Sequence, residues 1–152
     1  MDYHVALPLL SLLVITLIFL ILEVRENTAV VKSESYAASV DRLNEWRLEL
    51  AANPKMTELF VEFLDDGVGE MDPVELQQFT FLYGSLWSIY ESAYFSSTYE
   101  TLGRAEWTRF ENMICRQHQL SVDRSVWLDT AGRLSQDFVE WVLGACGRDD
   151  GA

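Results

Sequence analysis

No Lys or Arg occurs in the first 24 positions of this 152-residue chain. The positive start of a secretory signal is therefore missing, and no Ala-x-Ala cleavage site follows the apolar run. A Gly-x-Ser-x-Gly elbow, a Gly-rich phosphate loop and a Cys-x-x-Cys pair are also absent. Those absences remove the usual frames for serine hydrolysis, nucleotide binding and dithiol or zinc chemistry. Strand-like alternation, internal repeats and low-complexity linkers do not appear either. Of two cysteines, Cys115 and Cys146, neither has zinc-ligand spacing. Small secreted domains use cysteine more densely. The expectation is two buried free thiols in a reducing compartment, with a single bridge between them as the alternative.

Charge of one sign dominates what is present. The formal net charge is −13. Beyond position 24, 22 acidic and 11 basic residues leave −11 on the remainder. Such a surface repels phosphate backbones, so nucleic acid is not an expected partner.

Residues 5–22 carry no charge and only two hydroxyl side chains, Ser11 and Thr16. As a helix the run is about 27 Å long, close to the ~30 Å hydrocarbon core of a bilayer. A retained span is expected. Pro8 is tolerated in its first turn. Tyr3 suits one interface and Arg25 the other. Cations near the span lie only on its C-terminal side, at Arg25 and Lys32. The count favours a cytoplasmic C-terminal domain, with the periplasm as the alternative.

After the span, residues 23–52 contain neither Gly nor Pro. Ala29, Tyr36, Val40, Leu43 and Leu50 recur at irregular helical spacing. One helix running to about Ala52 is expected, with a polar upper part suited to a stalk. Asn53-Pro54 opens a second helix, in which Met56, Leu59, Phe60, Phe63 and Leu64 form one face. Gly67 closes it. Asp72-Pro73-Val74-Glu75 starts a third helix, expected to run to about Thr101 and to end at Gly103. Its seam is Phe79, Leu82, Leu86, Ile89 and Ala93, flanked by Tyr83, Tyr90 and Tyr94, with Trp87 and Phe95 adjoining. Trp107, Phe110, Ile114 and His118 mark the next helix. Ser121 caps a short one with Val126 and Trp127, and Ser135 opens the last, with Phe138, Trp141, Val142 and Ala145. The fold class is all-α: a transmembrane helix continuing into a long helix, then about four to five further helices. The divisions are an anchor at 1–24, a juxtamembrane helix or stalk at 25–52, a bundle at 53–146 and a flexible tail at 147–152.

The run Val24-Arg25-Glu26-Asn27-Thr28, followed by Asn53-Pro54, Tyr90-Glu91, Tyr94, Gly103, Trp107, Trp127, Phe138 and Val142, resembles a group of uncharacterised bacterial membrane proteins. Those have one N-terminal span and a helical domain. Their usual Gln before the Arg-x-Asn-Thr run is Glu23 here. The resemblance implies a membrane-tethered helical protein of a Gram-negative bacterium and transfers no catalytic or binding role.

Three groups are candidates for chemistry. Glu111, Cys115 and His118 share a helix side at spacings four and three, which suits a transition metal or a Cys–His nucleophile if further groups converge. Asp65, Asp66, Glu70 and Asp72 lack the alternating ligands of an EF-hand and read as a turn and caps. The aromatic helix 73–101 offers ligand-pocket candidates in Trp87, Tyr90, Glu91 and Tyr94. Glu91, if buried, needs a partner, with Arg104, Arg109 and Arg133 as the candidates. The favoured function is a single-pass inner-membrane protein, non-enzymatic and without a cofactor. The lipid bilayer is one expected partner, and the domain is expected to bind a partner protein or to assemble with a second copy. A small-molecule sensor and, more remotely, a metal-dependent enzyme are the alternatives.

Overall fold

Two short polar breaks divide the first two-thirds of the chain. At the first, the Met56 N–H donates to Asn53 Oδ1 at 3.2 Å, and Pro54 begins the next helix where a missing N–H costs nothing. At the second, Asp72 Oδ1 accepts from the Val74 and Glu75 amides at 2.7 and 2.9 Å, while the Asp72 N–H donates back to Glu75 Oε2 at 3.1 Å. That reciprocal capping box fixes the start of the central helix. The computed structural model describes residues 3–67, 69, 71–120 and 124–147, apart from the side chains of residues 3–11, 66, 124 and 125. Its helices are α1 (Tyr3–Ala52), α2 (Pro54–Asp66), α3 (Pro73–Thr98), α4 (Arg104–Leu120), α5 (Arg124–Ala131) and α6 (Gln136–Ala145). The all-α expectation holds. Ser121, Glu70, the Asp66 side chain and the tail beyond Gly147 lie outside the described residues.

α3 is the axis, with α1, α2, α4 and α5 packed on it and α6 on α4. Its buried line is Phe79, Tyr83, Leu86, Trp87, Tyr90 and Ala93. The expected seam was rotated: Leu82 and Ile89 are only half-buried, while Tyr83 and Trp87 are fully buried. The larger rings win the interior because they remove more apolar area from water. Rings then follow one another across the molecule. Phe60 meets Trp46 and Phe79, Phe79 stacks on Tyr83, and Trp87 touches Trp127 with centroids 4.5 Å apart.

The lower half of α1, placed in the stalk by sequence, contributes Leu43 and Trp46 to this core. The Trp46 indole N–H donates to the Leu82 carbonyl at 3.0 Å, and Arg42 Nη1 donates to Ser92 Oγ at 3.2 Å. Residue numbers rise on α3 as they fall on α1, so the two helices run antiparallel. The irregular apolar spacing of this half has a local cause. Ser39, buried among apolar neighbours, donates its hydroxyl proton to the Ser35 carbonyl at 2.9 Å and so needs no water.

In the upper part of α1, the described side chains from Leu12 to Val31 are all exposed. Among the described residues no helix is long and apolar enough to cross a membrane. Tyr3 and positions 5–11 of the apolar run fall outside the described side chains. From Leu12 to Val24 every large apolar side chain is 49–69% exposed, on all sides of the helix.

Two further expectations are corrected. α3 ends at Thr98, three residues short of the expected Thr101 and well before Gly103. Glu100 takes a left-handed φ of 57°, and the Thr101 and Leu102 amides both return to the Ser96 carbonyl at 2.9 Å. The cysteines are not free: Cys115 on α4 is joined to Cys146, which caps α6. They lie 31 positions apart, and the fold brings their Cα atoms to 4.7 Å.

Glu100→Gly relieves the left-handed backbone and raises stability by about 0.5–1 kcal/mol in chemical denaturation. Reduction of the bridge, or Cys115→Ser with Cys146→Ser, lowers it by about 3–4 kcal/mol, the loop-closure entropy expected for that separation.

Candidate functional site

The residues proposed from sequence fall into two places. The first lies along α3. Trp87 is fully buried and Tyr90 is 5% exposed. Tyr94 packs among Trp107, Phe138 and Trp141, with centroids 5.4 to 6.1 Å away. Rings from α4, α5 and α6 lie against these side chains. Burial pushes the Tyr90 hydroxyl up to about 12, partly offset by the positive charge of Arg47.

Among the described residues Glu91 has no arginine partner, neither Arg104, Arg109 nor Arg133. Its Oε1 accepts a hydrogen bond from the Ser135 backbone N–H at 2.6 Å. Ser135 is the N-cap of α6, and its own side chain makes no capping bond. Glu91 thus supplies, from another helix, the negative group that a helix N-terminus favours. Arg133, one of its expected partners, instead binds Asp129 at 2.8 Å on α5. Arg109 donates to the Tyr36 hydroxyl at 3.2 Å.

The second place is Glu111, Cys115 and His118 on α4. The Cys115 sulfur is committed to Cys146, so it supplies neither a thiolate ligand nor a nucleophile. Among the described residues no group of three His, Cys, Asp or Glu side chains is arranged to hold a metal ion. The His118 ring lies 5.0 Å from Trp127 and 6.4 Å from Trp87, edge-on to both. It belongs to the aromatic packing rather than to an exposed centre.

Two surface depressions lie elsewhere. A wide groove of about 710 Å³ runs between the end of α1 and α2, past Ala51, Pro54, Thr57 and Val61. Glu58 and Glu62 form its acidic side. Nearby, Lys55 binds Glu75 at 2.8 Å, which raises the lysine pKa and lowers that of the carboxylate. A smaller cleft of about 210 Å³ lies where α3 meets α5 and the α5–α6 turn. Its wall on α3 is Thr80, Phe81, Gly84, Ser85 and Ser88. No sequence signal marked it, because small residues on an outward helix face look like ordinary solvated surface. Neither depression gathers a nucleophile with a base.

No family model matches the chain, and no curated protein or solved structure matches it.

Replacing Glu91 by Ala removes a charged acceptor and lowers stability by about 1–3 kcal/mol. Glu91→Gln keeps an acceptor and loses less, as urea unfolding of the pair will show. Tyr90 gives a pH dependence at the alkaline end. Its folded pKa of about 12 lies above the unfolded value of about 10. Its contribution is complete below pH ~10 and lost as pH rises to ~12. Tyr90→Phe removes that part of the decline in unfolding free energy.

Proposed function

We propose that this chain is a membrane-tethered helical docking module, with the first part of α1 in the bilayer and the bundle outside the cytoplasm. The observation that carries the tether is the bare shaft of α1 between Leu12 and Val24, with apolar side chains on every side and none of them covered by another described part of the chain. A helix apolar all round needs an apolar surrounding. Each such side chain gains about 1.5–3 kcal/mol on leaving water. Residues 5–11 continue the same composition without a charge, bringing the run to bilayer length. The resemblance to single-span bacterial membrane proteins agrees with this placement.

The side of the membrane is argued from Cys115–Cys146. Stable disulfides belong to oxidising compartments and are rare in the cytosol. Both cysteines of the chain are used in this bridge. For a Gram-negative cell the corresponding compartment is the periplasm. The Lys/Arg bias points the other way, but it consists of Arg25 and Lys32 alone. We weigh the disulfide above those two cations. A docking role fits the rest. The described surface offers a groove and a cleft lined for contact, and the cysteine a nucleophile would need is locked in the bridge.

Fractionation tests the tether. The full chain will stay with membranes through alkaline carbonate washing, and a variant lacking residues 1–24 will not. A full chain that remains in the soluble fraction overturns the reading. Alkaline phosphatase fused after Ala152 will be active, and thiol labelling of intact cells will require prior reduction. An inactive fusion with freely labelled thiols would place the bundle in the cytoplasm.

A further inference from the structure

Gly84 stands in the middle of α3, where glycine weakens a helix relative to alanine. Nothing in the chain requires it. A Cβ built at this position meets no atom within 4 Å. The reason for a missing side chain there is therefore to be sought outside the single chain.

Gly84 lies on the outward side of α3, opposite the buried line, together with Phe81, Ser85 and Ser88. All four border the cleft of about 210 Å³ shared with α5. Phe81 is 62% exposed, a large ring beside a floor of small residues. Ser85 and Ser88 donate their hydroxyl protons to the Leu82 and Gly84 carbonyls at 2.7 and 3.0 Å. They are thereby satisfied within their own helix and can be covered at little cost. Thr130, from the far wall, is 1% exposed, and its hydroxyl oxygen has no hydrogen-bond partner.

Charge selects the occupant. Residues 76–90 contain no charged side chain, in a chain whose net charge is −13. Two copies of so acidic a domain repel each other through most surfaces. This neutral helix face is where they meet without that repulsion.

We propose that α3 pairs with α3 of a second copy through this face, Phe81 of each copy seated in the cleft of the other. A two-fold contact of this kind is self-complementary by construction. Small residues at spacing four, Gly84 and Ser88, let the two backbones approach closely. α3 runs antiparallel to α1, as the Trp46–Leu82 and Arg42–Ser92 bonds show. A two-fold axis along the direction of α1 therefore pairs the α3 helices in parallel and sends both apolar shafts to the same side. The proposal specifies the partner within the docking reading above, but the contact itself does not depend on the bilayer.

The test is the mass of the full chain in detergent micelles, by light scattering and sedimentation over a concentration series. A dimer is expected. Phe81→Ser and Gly84→Leu will each raise its dissociation constant at least tenfold with the helical circular dichroism unchanged. Gly84→Ala separates the two roles: it will raise the thermal midpoint of the dilute monomer while weakening the dimer. Leu143→Ser, at an exposed apolar side chain of α6, which packs on α4, will leave the dimer intact. A wild-type chain monomeric at every concentration overturns the proposal. So does a dimer that Phe81→Ser and Gly84→Leu leave unchanged, since it would then form through α1 or another surface. Loss of membrane retention in fractionation would overturn the tether and leave this contact standing.

Discussion

The rings on the inner side of α3 set the position of everything else. Phe79, Tyr83, Trp87 and Tyr90 occupy successive turns of one helix, and between them they form contact surfaces for α2, α5 and α6. Phe79 and Tyr83 receive Phe63 from α2. Trp87 receives Trp127 from α5 and Phe138 from α6. Aromatic side chains bury about 150–250 Å² each and favour tilted or edge-on contacts. A column of them fixes both the distance and the direction of approach of the helices around it. The interior wall of α3 is consequently crowded, and its outer wall can be reduced to glycine, serine and a solitary phenylalanine without loss to the core.

α6 shows what such packing leaves undone. With ten residues it is too short to hold its own conformation in water. It nevertheless places Phe138 and Val142 in the core. Its two ends are secured by different means. At the start, Glu91 of α3 accepts from the Ser135 amide. At the finish, Cys146 is bonded to Cys115 of α4. A carboxylate that looked like a pocket acid and a cysteine that looked like a metal ligand are thus two halves of one structural task. Both were attractive as chemistry because each is polar or reactive in an apolar setting. The setting exists because a helix terminus has to be anchored there.

What could be read from sequence was local. The caps at Asn53, Gly67 and Asp72 were legible because a cap and the amide or carbonyl it serves lie within a few residues. The helix starts followed from them. The core face of α2 was legible from its 3-and-4 spacing. Helix α3 was harder, since apolar residues surround so much of it that periodicity alone does not choose the inner side. The choice went to ring size, a property of the assembled interior. The end of α3 was missed because a glutamate, Glu100, holds the left-handed position where glycine is the usual signal. The partner of Glu91 was missed because it is a backbone amide 44 positions away, with no side-chain identity to search for. The pairing of Cys115 with Cys146 had the same difficulty, two residues with no local pattern between them.

The two indications of sidedness are unequal in kind. Cations beside a span act during insertion and add up one by one. Here they are two, Arg25 and Lys32, each with a carboxylate neighbour at Glu26 or two positions on at Glu34. A disulfide acts afterwards and is all or none. It persists only where the surroundings are oxidising. The membrane potential enters on the same side as the disulfide. With the cell interior negative, each elementary negative charge moved outward gains about 2.3 kcal/mol per 100 mV. Acidic residues carry little weight in the rule for insertion, yet under the proposed placement a segment with −11 in total would move with the field rather than against it. On that proposal, the acidity that disfavours nucleic acids and anionic lipids as partners would also ease passage of the domain across the membrane.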